Sequence, residues 1–502
     1  MEMMPSLSAA VSMMANWQVP LWIFGGLLIG VLLGAMPGVS GVLAITLLLG
    51  PSYYMDPLMA IIFLTAIYTG SVYGGGISAL LLNIPGTPAA IATGFDGYPM
   101  TQKGMHNQAL GISIMSSAFG CFVSYFIILF LFLPLGKIVL SFGPAEMLMV
   151  VVFAITSIGM VKGEIVQTSL VGLFGLLLGT VGSSAFGNAR GIWGQDALYE
   201  GIPLIPALLG MLAVSELFIM MERKYVIDEG ARPVQKIGEI LKGMRMALQC
   251  PWTLIRSSLL GTAIGIMPAA GSTIAAMVSY GTEKRSSAHP EKYGKGEPAG
   301  LVAAEAANNG SEGGAVATMM LLGIPGSVTT ALLIAAFMIH GMSPGPFLVR
   351  ENLDFAYAVI LAQFFQAGGL LVVAPLFVNY FARLIFLPTR VLVPAVLIFA
   401  VVGALAPRSL IVDVVVMCVF ALVGLVMKKL EYPIMGFILG FILGGLVDQE
   451  FVRSFLLYGD TPWMVFKRPA FDVLLAITVG SILWPQLKRL LNRNGDTGVH
   501  QS

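Results

Sequence analysis

The stretch AIYTGSVYGGGISALLLNIPG, from Ala66 to Gly86, recurs 240 positions later as AANNGSEGGAVATMMLLGIPG, from Ala306 to Gly326. Nine aligned positions are identical, including Gly70 and Gly310, Ser71 and Ser311, Gly74 and Gly314, and the Ile-Pro-Gly that begins at Ile84 and Ile324. Upstream of each copy lies a second matched signature. Gly30, Gly34 and Pro37 in GVLLGAMPGVSG align with Gly261, Gly265 and Pro268 in GTAIGIMPAAGS, at an offset of 231. The nine-residue difference between the two offsets is placed in the polar run from Glu283 to Pro298. Two ordered signatures, each broken by glycine and proline and each present twice, predict an internal repeat.

The chain is 57% hydrophobic and only 11% charged, where soluble domains carry roughly 25% charged residues. Water cannot be the main solvent for such a surface. The sequence therefore predicts an all-α, polytopic integral membrane protein in a lipid bilayer. A formal net charge of +1, with no basic stripe and interleaved aromatics, gives no reason to expect a nucleic-acid partner. Cys121, Cys250 and Cys418 form no CxxC and predict no disulfide frame. The four histidines show no metal-ligand spacing, so no cofactor and no metal beyond Na⁺ is expected. There is no Walker A sequence and no GxSxG elbow, and Ser40 has no recognisable base. The chain is expected not to be an enzyme. No Lys or Arg precedes the first apolar run, which argues against a cleaved secretory leader.

A spanning helix needs about 20 mostly apolar residues. Continuous candidates lie at 108–133, 144–161, 165–181 and 203–221, then at 353–378, 391–407, 409–427, 433–447 and 470–487. The segments 20–50, 57–94, 252–282 and 301–340 are also apolar, but Gly-Pro clusters break them near their middles. Counting the broken or re-entrant ones gives about 12 membrane segments. The expected order is a tail over 1–19, a first membrane repeat over 20–221, a cytoplasmic linker over 222–250, a second repeat over 251–490 and a tail over 491–502. The linker carries Arg223, Lys224, Arg232, Lys236, Lys242 and Arg245, and positive charge is retained on the cytoplasmic side. Counting spans outward from it puts Asp96 to Asn107 inside and Arg350 to Asp354 outside. The two halves then read as inverted repeats. Asp56-Pro57 reads as an N-cap with Pro at the first helical position, Asp96-Gly97 as a turn, and Gly30xxxGly34 and Gly261xxxGly265 as close helix packing.

Gly and Pro interrupt the helical hydrogen-bond ladder and free backbone N–H and C=O groups. In hydrocarbon each such group costs several kcal/mol, so broken backbone survives there only inside protein or beside a wet cavity. Four breaks at matched positions predict a shared polar site; packed structural kinks are the competing reading. The runs that begin at Pro37, Pro85, Pro268 and Pro325 each resemble a helix start, whose free N–H groups and dipole attract carboxylates. Candidate substrate-binding residues are Ser40, Gly41, Asn83, Gly86, Thr87, Ser272, Thr273, Asn308, Asn309 and Ser327. Glu305, Asn308, Asn309 and Glu312 fall on one helical face. A carboxylate within a membrane segment is expensive and marks function by default. Glu305, with Asn308 and Ser311, is the candidate holder of a coupling ion, Na⁺ or H⁺. Tyr68 and Tyr73 replace Asn308 and Gly313 in the first copy, so the halves are chemically unequal.

Three long stretches carry a family resemblance: PGVSGVLAITLLLGPSYYMDP from Pro37, YTGSVYGGGISALLLNIPGTPAAIATGFDGYPM from Tyr68, and LGIPGSVTTALLIAAFMIHGMSPGP from Leu322. They resemble the large membrane subunit of tripartite tricarboxylate transporters, the TctA family, over roughly residues 15 to 490. The resemblance implies a permease of the bacterial inner membrane that imports small organic anions on an ion gradient. It also implies two partners, a periplasmic TctC-like solute-binding protein and a small four-helix TctB-like membrane subunit. This chain departs from the common pattern at Ala269, Gly76 and Ala304, where family members commonly have Gly, Ser and Pro. A passive anion channel and a membrane-embedded enzyme are the alternative functions.

Overall fold

The computed structural model describes residues 3–36, 41–162, 165–184, 188–221, 236–267, 271–378 and 389–480. In chain order the first helices are α1 (Met3–Met14), α2 (Gln18–Gly34), α3 (Gly41–Ser52), α4 (Pro57–Leu82), α5 (Ile91–Gln102), α6 (His106–Leu140), α7 (Pro144–Lys162) and α8 (Ile165–Gly179). A two-residue hairpin, Gly182–Ser183 with Ala189–Arg190, is the only sheet among the described residues. Next, α9 (Leu204–Leu208) continues through a π-helical stretch, Leu209–Val214, into α10 (Ser215–Met220). The remainder are α11 (Ile237–Leu248), α12 (Pro251–Ile266), α13 (Gly271–Ser286), α14 (Pro298–Leu322), α15 (Val328–Ile339), α16 (Pro346–Glu351), α17 (Leu353–Leu376), α18 (Thr389–Leu405), α19 (Ile411–Lys429) and α20 (Ile434–Tyr458). The fold is all-α. Five helices are long and apolar enough to cross a bilayer: α4, α6, α17, α19 and α20. A sixth span results if α1 and α2, bent by 79°, count as one. Residues 1–19, expected as a tail, thus contain a helix, and it lies along α17.

Two compact units divide the chain. One comprises Met1–Lys137 and Leu204–Val426, the other Ile138–Pro203 and Met427–Ser502. Each takes part of both sequence halves. In the second unit α20 packs on α8 through Gly436, Gly440 and Gly444, whose absent side chains let the backbones approach closely. Beyond the apolar run that ends at Val447, α20 continues to Tyr458 because its polar turns find partners. Asp448 pairs with Arg190 at 2.6 Å and Glu450 with Arg453 at 2.8 Å. The buried carboxylate of Glu146 pairs with Arg468.

Both copies of the repeated signatures lie in the first unit, and they pack in the same way. A Cβ at Gly30 or Gly34 of α2 would collide with the backbone of Ile67 or Ser71 in α4. At Gly261 or Gly265 of α12 it would meet Ala307 or Ser311 of α14, the aligned residues. After each Ile-Pro the glycine docks on the same aligned positions, Gly86 against Gly34 and Gly75, Gly326 against Gly265 and Ala315. The two long helices also end alike. Asn83 (φ 57°) and Gly323 (φ 70°) adopt the left-handed conformation that stops a helix, and each N–H reaches back four residues, to Ala79 O and Met319 O. At the start of α4, Asp56 Oδ1 accepts from Leu58 N at 3.0 Å and Met59 N at 3.3 Å, with Pro57 at the first helical position.

Asp96-Gly97 is not a turn. Both residues lie inside α5, and Asp96 is fully buried. Its Oδ1 accepts from the N–H groups of Gly294, Gly296 and Glu297, each at 2.8 Å, and Tyr280 OH donates to Oδ2 at 3.0 Å. The carboxylate needs these donors more than the dipeptide needs a turn. It fixes the polar run after α13 against α5 and sets the start of α14.

Candidate functional site

Helices α4 and α14 form the centre of the first unit. Every residue from Leu58 to Leu80 and from Gly300 to Leu321 is buried. Other helices, not lipid, therefore surround both, and polar side chains on them can find polar company. Helix α14 places Glu305, Asn308, Asn309 and Glu312 within two turns, all fully buried.

Glu305 is enclosed by the first half of the chain. Thr93 of α5 donates to Oε1 at 2.5 Å, and Ser117 of α6 donates to Oε2 at 2.8 Å. The Asn309 amide lies one turn on and donates to Ser117 Oγ at 2.8 Å and Glu305 O at 3.1 Å. On the remaining side α4 passes so close that a Cβ at Gly76 would lie 2.6 Å from Glu305 Oε1. Both carboxylate oxygens thus have donors, all of them neutral.

The next turn of α14 is less satisfied. Glu312 Oε2 accepts from Thr69 of α4 at 2.8 Å, but Oε1 has no hydrogen-bond partner. Gln363 and Gln366 of α17 direct their carbonyl oxygens at the same Thr69 hydroxyl. The Asn308 side chain has neither its N–H₂ nor its Oδ1 bonded, and the Asn309 Oδ1 is also unpaired. Each buried polar group left so costs about 1–3 kcal/mol. Such groups in a folded interior point to a ligand or ordered water.

The expected helix starts are less uniform than their sequences. Ser327 caps α15 in a capping box: its Oγ accepts from Thr330 N at 3.2 Å, and Thr330 Oγ1 accepts from Ser327 N at 2.9 Å. Tyr68, which replaces Asn308 in the first copy, places its hydroxyl 3.5 Å from Ser327 Oγ. Thr87 opens a short 3-10 turn without a side-chain cap and rests over Gly75 of α4. Its Oγ1 is buried and unpaired. Gly41 begins α3 against the Ser71 hydroxyl. Ser272 and Thr273 occupy the first turn of α13, half-buried. Ser40 lies outside the described residues. Ser311 donates to the backbone carbonyl of Asn308 in its own helix at 2.7 Å, as Ser71 does to that of Tyr68 at 2.8 Å. Asn83 is exposed and lines a cavity of about 340 Å³ with Ala79, Ile91, Gly94, Phe95 and Tyr98. The structure thus brings Glu305 and Asn309 together, and Tyr68 with Ser327. Asn83 opens on a cavity whose lining includes none of the α14 polar residues.

The sequence profile of the tripartite tricarboxylate transporter TctA family matches residues 21–439. The chain belongs to that family. It is therefore a multi-pass membrane component of a transporter, in a family whose members work with TctB and TctC components. It is 29% identical over 485 residues to an uncharacterized 52.8 kDa protein in the TAR-I ttuC' 3' region of Agrobacterium vitis, covering 96% of this chain and 95% of that one. A second Agrobacterium vitis protein, uncharacterized and in the TAR-II ttuC' 3' region, is also 29% identical, over 48% of this chain and 99% of its own. No solved structure matches the chain.

Within this TctA-family chain, sequence reasoning missed the partners of the carboxylates. Thr93 and Ser117 are single hydroxyls in apolar helices, and nothing in their neighbourhood singles them out. Gln363 and Gln366 carried a signal. Two amides three residues apart inside the apolar run 353–378 share one helical face, and such groups within a membrane segment call for a polar partner.

Proposed function

We propose that the chain is the permease subunit that imports small organic anions of the tricarboxylate or carboxylate class across the bacterial inner membrane. A Na⁺ or H⁺ gradient drives the step, a periplasmic TctC-like protein delivers the substrate, and a small four-helix TctB-like subunit completes the transporter. Family membership supports the transporter class, and the matched glycine packing of the two halves supports a site built from both. On this reading there are about 12 membrane segments, the short and broken helices counted with the long ones. The halves are inverted repeats that alternately open the site to each side. Gly41, Gly86 with Thr87, Ser272 with Thr273, and Ser327 offer helix-start N–H groups to substrate carboxylates. Ser40, Asn83, Asn308 and Asn309 orient the substrate. The buried carboxylate face of α14, with Glu305, Asn308 and Ser311, receives the coupling ion.

The observation that carries the proposal is Asn308. A fully buried amide with both polar ends unpaired is costly in an empty protein and is relieved by a bound polar ligand. The test is counterflow in proteoliposomes that hold the complete transporter. Vesicles preloaded with citrate should accumulate radiolabelled citrate transiently, and Asn308→Ala should lower the rate by about tenfold or more, equivalent to one lost polar contact. Citrate is the probe; succinate and malate serve as parallel probes. Flux of all three without counterflow marks a passive channel, and no flux of any rejects the carboxylate reading.

A further inference from the structure

We propose that Glu312, Thr69, Gln363 and Gln366 form a binding site for a single Na⁺, in a part of α14 distinct from Glu305. The inference rests on the transporter reading and adds to it a cation site separate from the one proposed at Glu305, Asn308 and Ser311.

The argument starts from one hydroxyl. Thr69 Oγ1 has one proton to give, and three acceptor oxygens surround it: Glu312 Oε2 at 2.8 Å, Gln366 Oε1 at 3.4 Å and Gln363 Oε1 at 3.5 Å. The proton goes to the nearest, the carboxylate. The Gln366 carbonyl then meets the hydroxyl with no donor between them, and Gln363, whose Nε2 has no hydrogen-bond partner, places its amide end beside it. The orientation of Gln366 is fixed by its other end, because Nε2 donates to Ile62 O at 3.1 Å and to Thr65 Oγ1 at 3.0 Å. The Thr65 hydroxyl donates to Ile61 O at 2.7 Å, so it can only accept from that amide. Turning Gln366 over would break both contacts. Its carbonyl is therefore built to face Thr69.

The charge requires a partner as well. Glu312 is fully buried, Oε1 is unpaired, and it forms no ion pair among the described residues. The Cys121 thiol lies beside it, a weak donor shared between Glu312 and Asn309 O, the latter at 3.7 Å. Glu305, by contrast, has donors on both oxygens. Converging neutral oxygens around one carboxylate describe a hard-cation site. One negative charge is neutralised by a proton or a monovalent cation, and the oxygens that converge beside it favour the cation; a divalent ion would leave a buried positive charge. Thr69 belongs to the first half, Glu312 to the second, and the glutamines to α17. A cation here ties α4 to α14 and α17, so its binding is coupled to their arrangement.

The test is binding of radiolabelled Na⁺ to the purified full-length protein in nanodiscs. Wild type should bind Na⁺ saturably, with unlabelled Na⁺ but not K⁺ displacing it. Glu312→Gln should weaken binding by about tenfold or more, as expected for loss of a charged contact. Thr69→Val should do the same and Thr69→Ser should not, a pair that keeps the test valid if Glu312→Gln fails to fold. Gly25→Ala, which touches nothing, should retain binding. Absence of saturable binding in wild type overturns the proposal. So does binding that survives Thr69→Val and Glu312→Gln. Citrate counterflow without Na⁺ binding sinks the ion site and spares the transport reading; Na⁺ binding at Glu312 without counterflow of any carboxylate does the reverse.

Discussion

Asp96 gathers three backbone N–H groups on one carboxylate oxygen, from residues 198, 200 and 201 positions downstream. Gly294 and Gly296 make this reach feasible, with φ of 83° and 95°, where any other residue would be strained. Asp96→Ala leaves all three donors without an acceptor, at about 1–3 kcal/mol for each that stays buried. The expected outcome is a large drop in melting temperature on fluorescence-detected size exclusion. Asp96→Asn keeps a carbonyl oxygen for the same donors, so its loss should be clearly smaller. Equal losses would mean that the charge, not the acceptor, holds the run. None of this was legible in the sequence. An Asp-Gly pair carries a strong local turn signal, and partners two hundred residues away leave no trace in its neighbourhood. Ser327 was better marked, because a Ser followed three residues on by a hydroxyl, after Pro-Gly, is a capping pattern. Ser327→Ala should lower stability by about 1 kcal/mol, the usual worth of an N-cap, and the same melting assay reads it.

Between helices, the glycines decide how closely α2 meets α4 and α12 meets α14. Gly34 and Gly265 touch backbone at aligned places, whereas Gly25 has open space beside it. Gly34→Leu and Gly265→Leu should each force the pair apart, abolish citrate counterflow and lower the melting temperature, since overpacking a tight contact costs about 1–3 kcal/mol or more. Gly25→Ala should be neutral within about 0.5 kcal/mol, as for changes away from packed contacts. A tolerated Gly265→Leu would refute the close-packing role. At this scale the sequence was informative for a plain reason. A helix that must stop or approach its neighbour closely has few residue types available, so Gly-Pro breaks and GxxxG spacing survive as visible marks. The polar partners of those helices had no such restriction. Thr93 and Ser117 differ from many other hydroxyls in the chain only by where the fold puts them.

Across the whole chain, the repeat signatures predict that the residues after them emerge on opposite sides of the membrane. Lys103 follows the first pair, at the end of α5, and Arg350 follows the second, in α16; both are exposed. Charge asymmetry supplies the direction, with the basic stretch before α12 on the cytoplasmic side. Single cysteines at these two positions report it through a membrane-impermeant maleimide. The background must lack Cys418, which is exposed, and Cys250, which is half-buried; Cys121 is buried. Lys103→Cys should react only after the vesicle is opened or inverted, and Arg350→Cys should react in right-side-out vesicles. The polar contacts tie the two copies together. Glu305 of the second half is held by Thr93 and Ser117 of the first, while Thr65 and Thr69 of the first half are reached by Gln366 of the second. Each central helix takes polar partners from the opposite half, as two copies related by a two-fold axis would do, and labelling decides the direction of that axis. Labelling of both cysteines from one side would mean that the halves are parallel copies, related by an axis along the membrane normal.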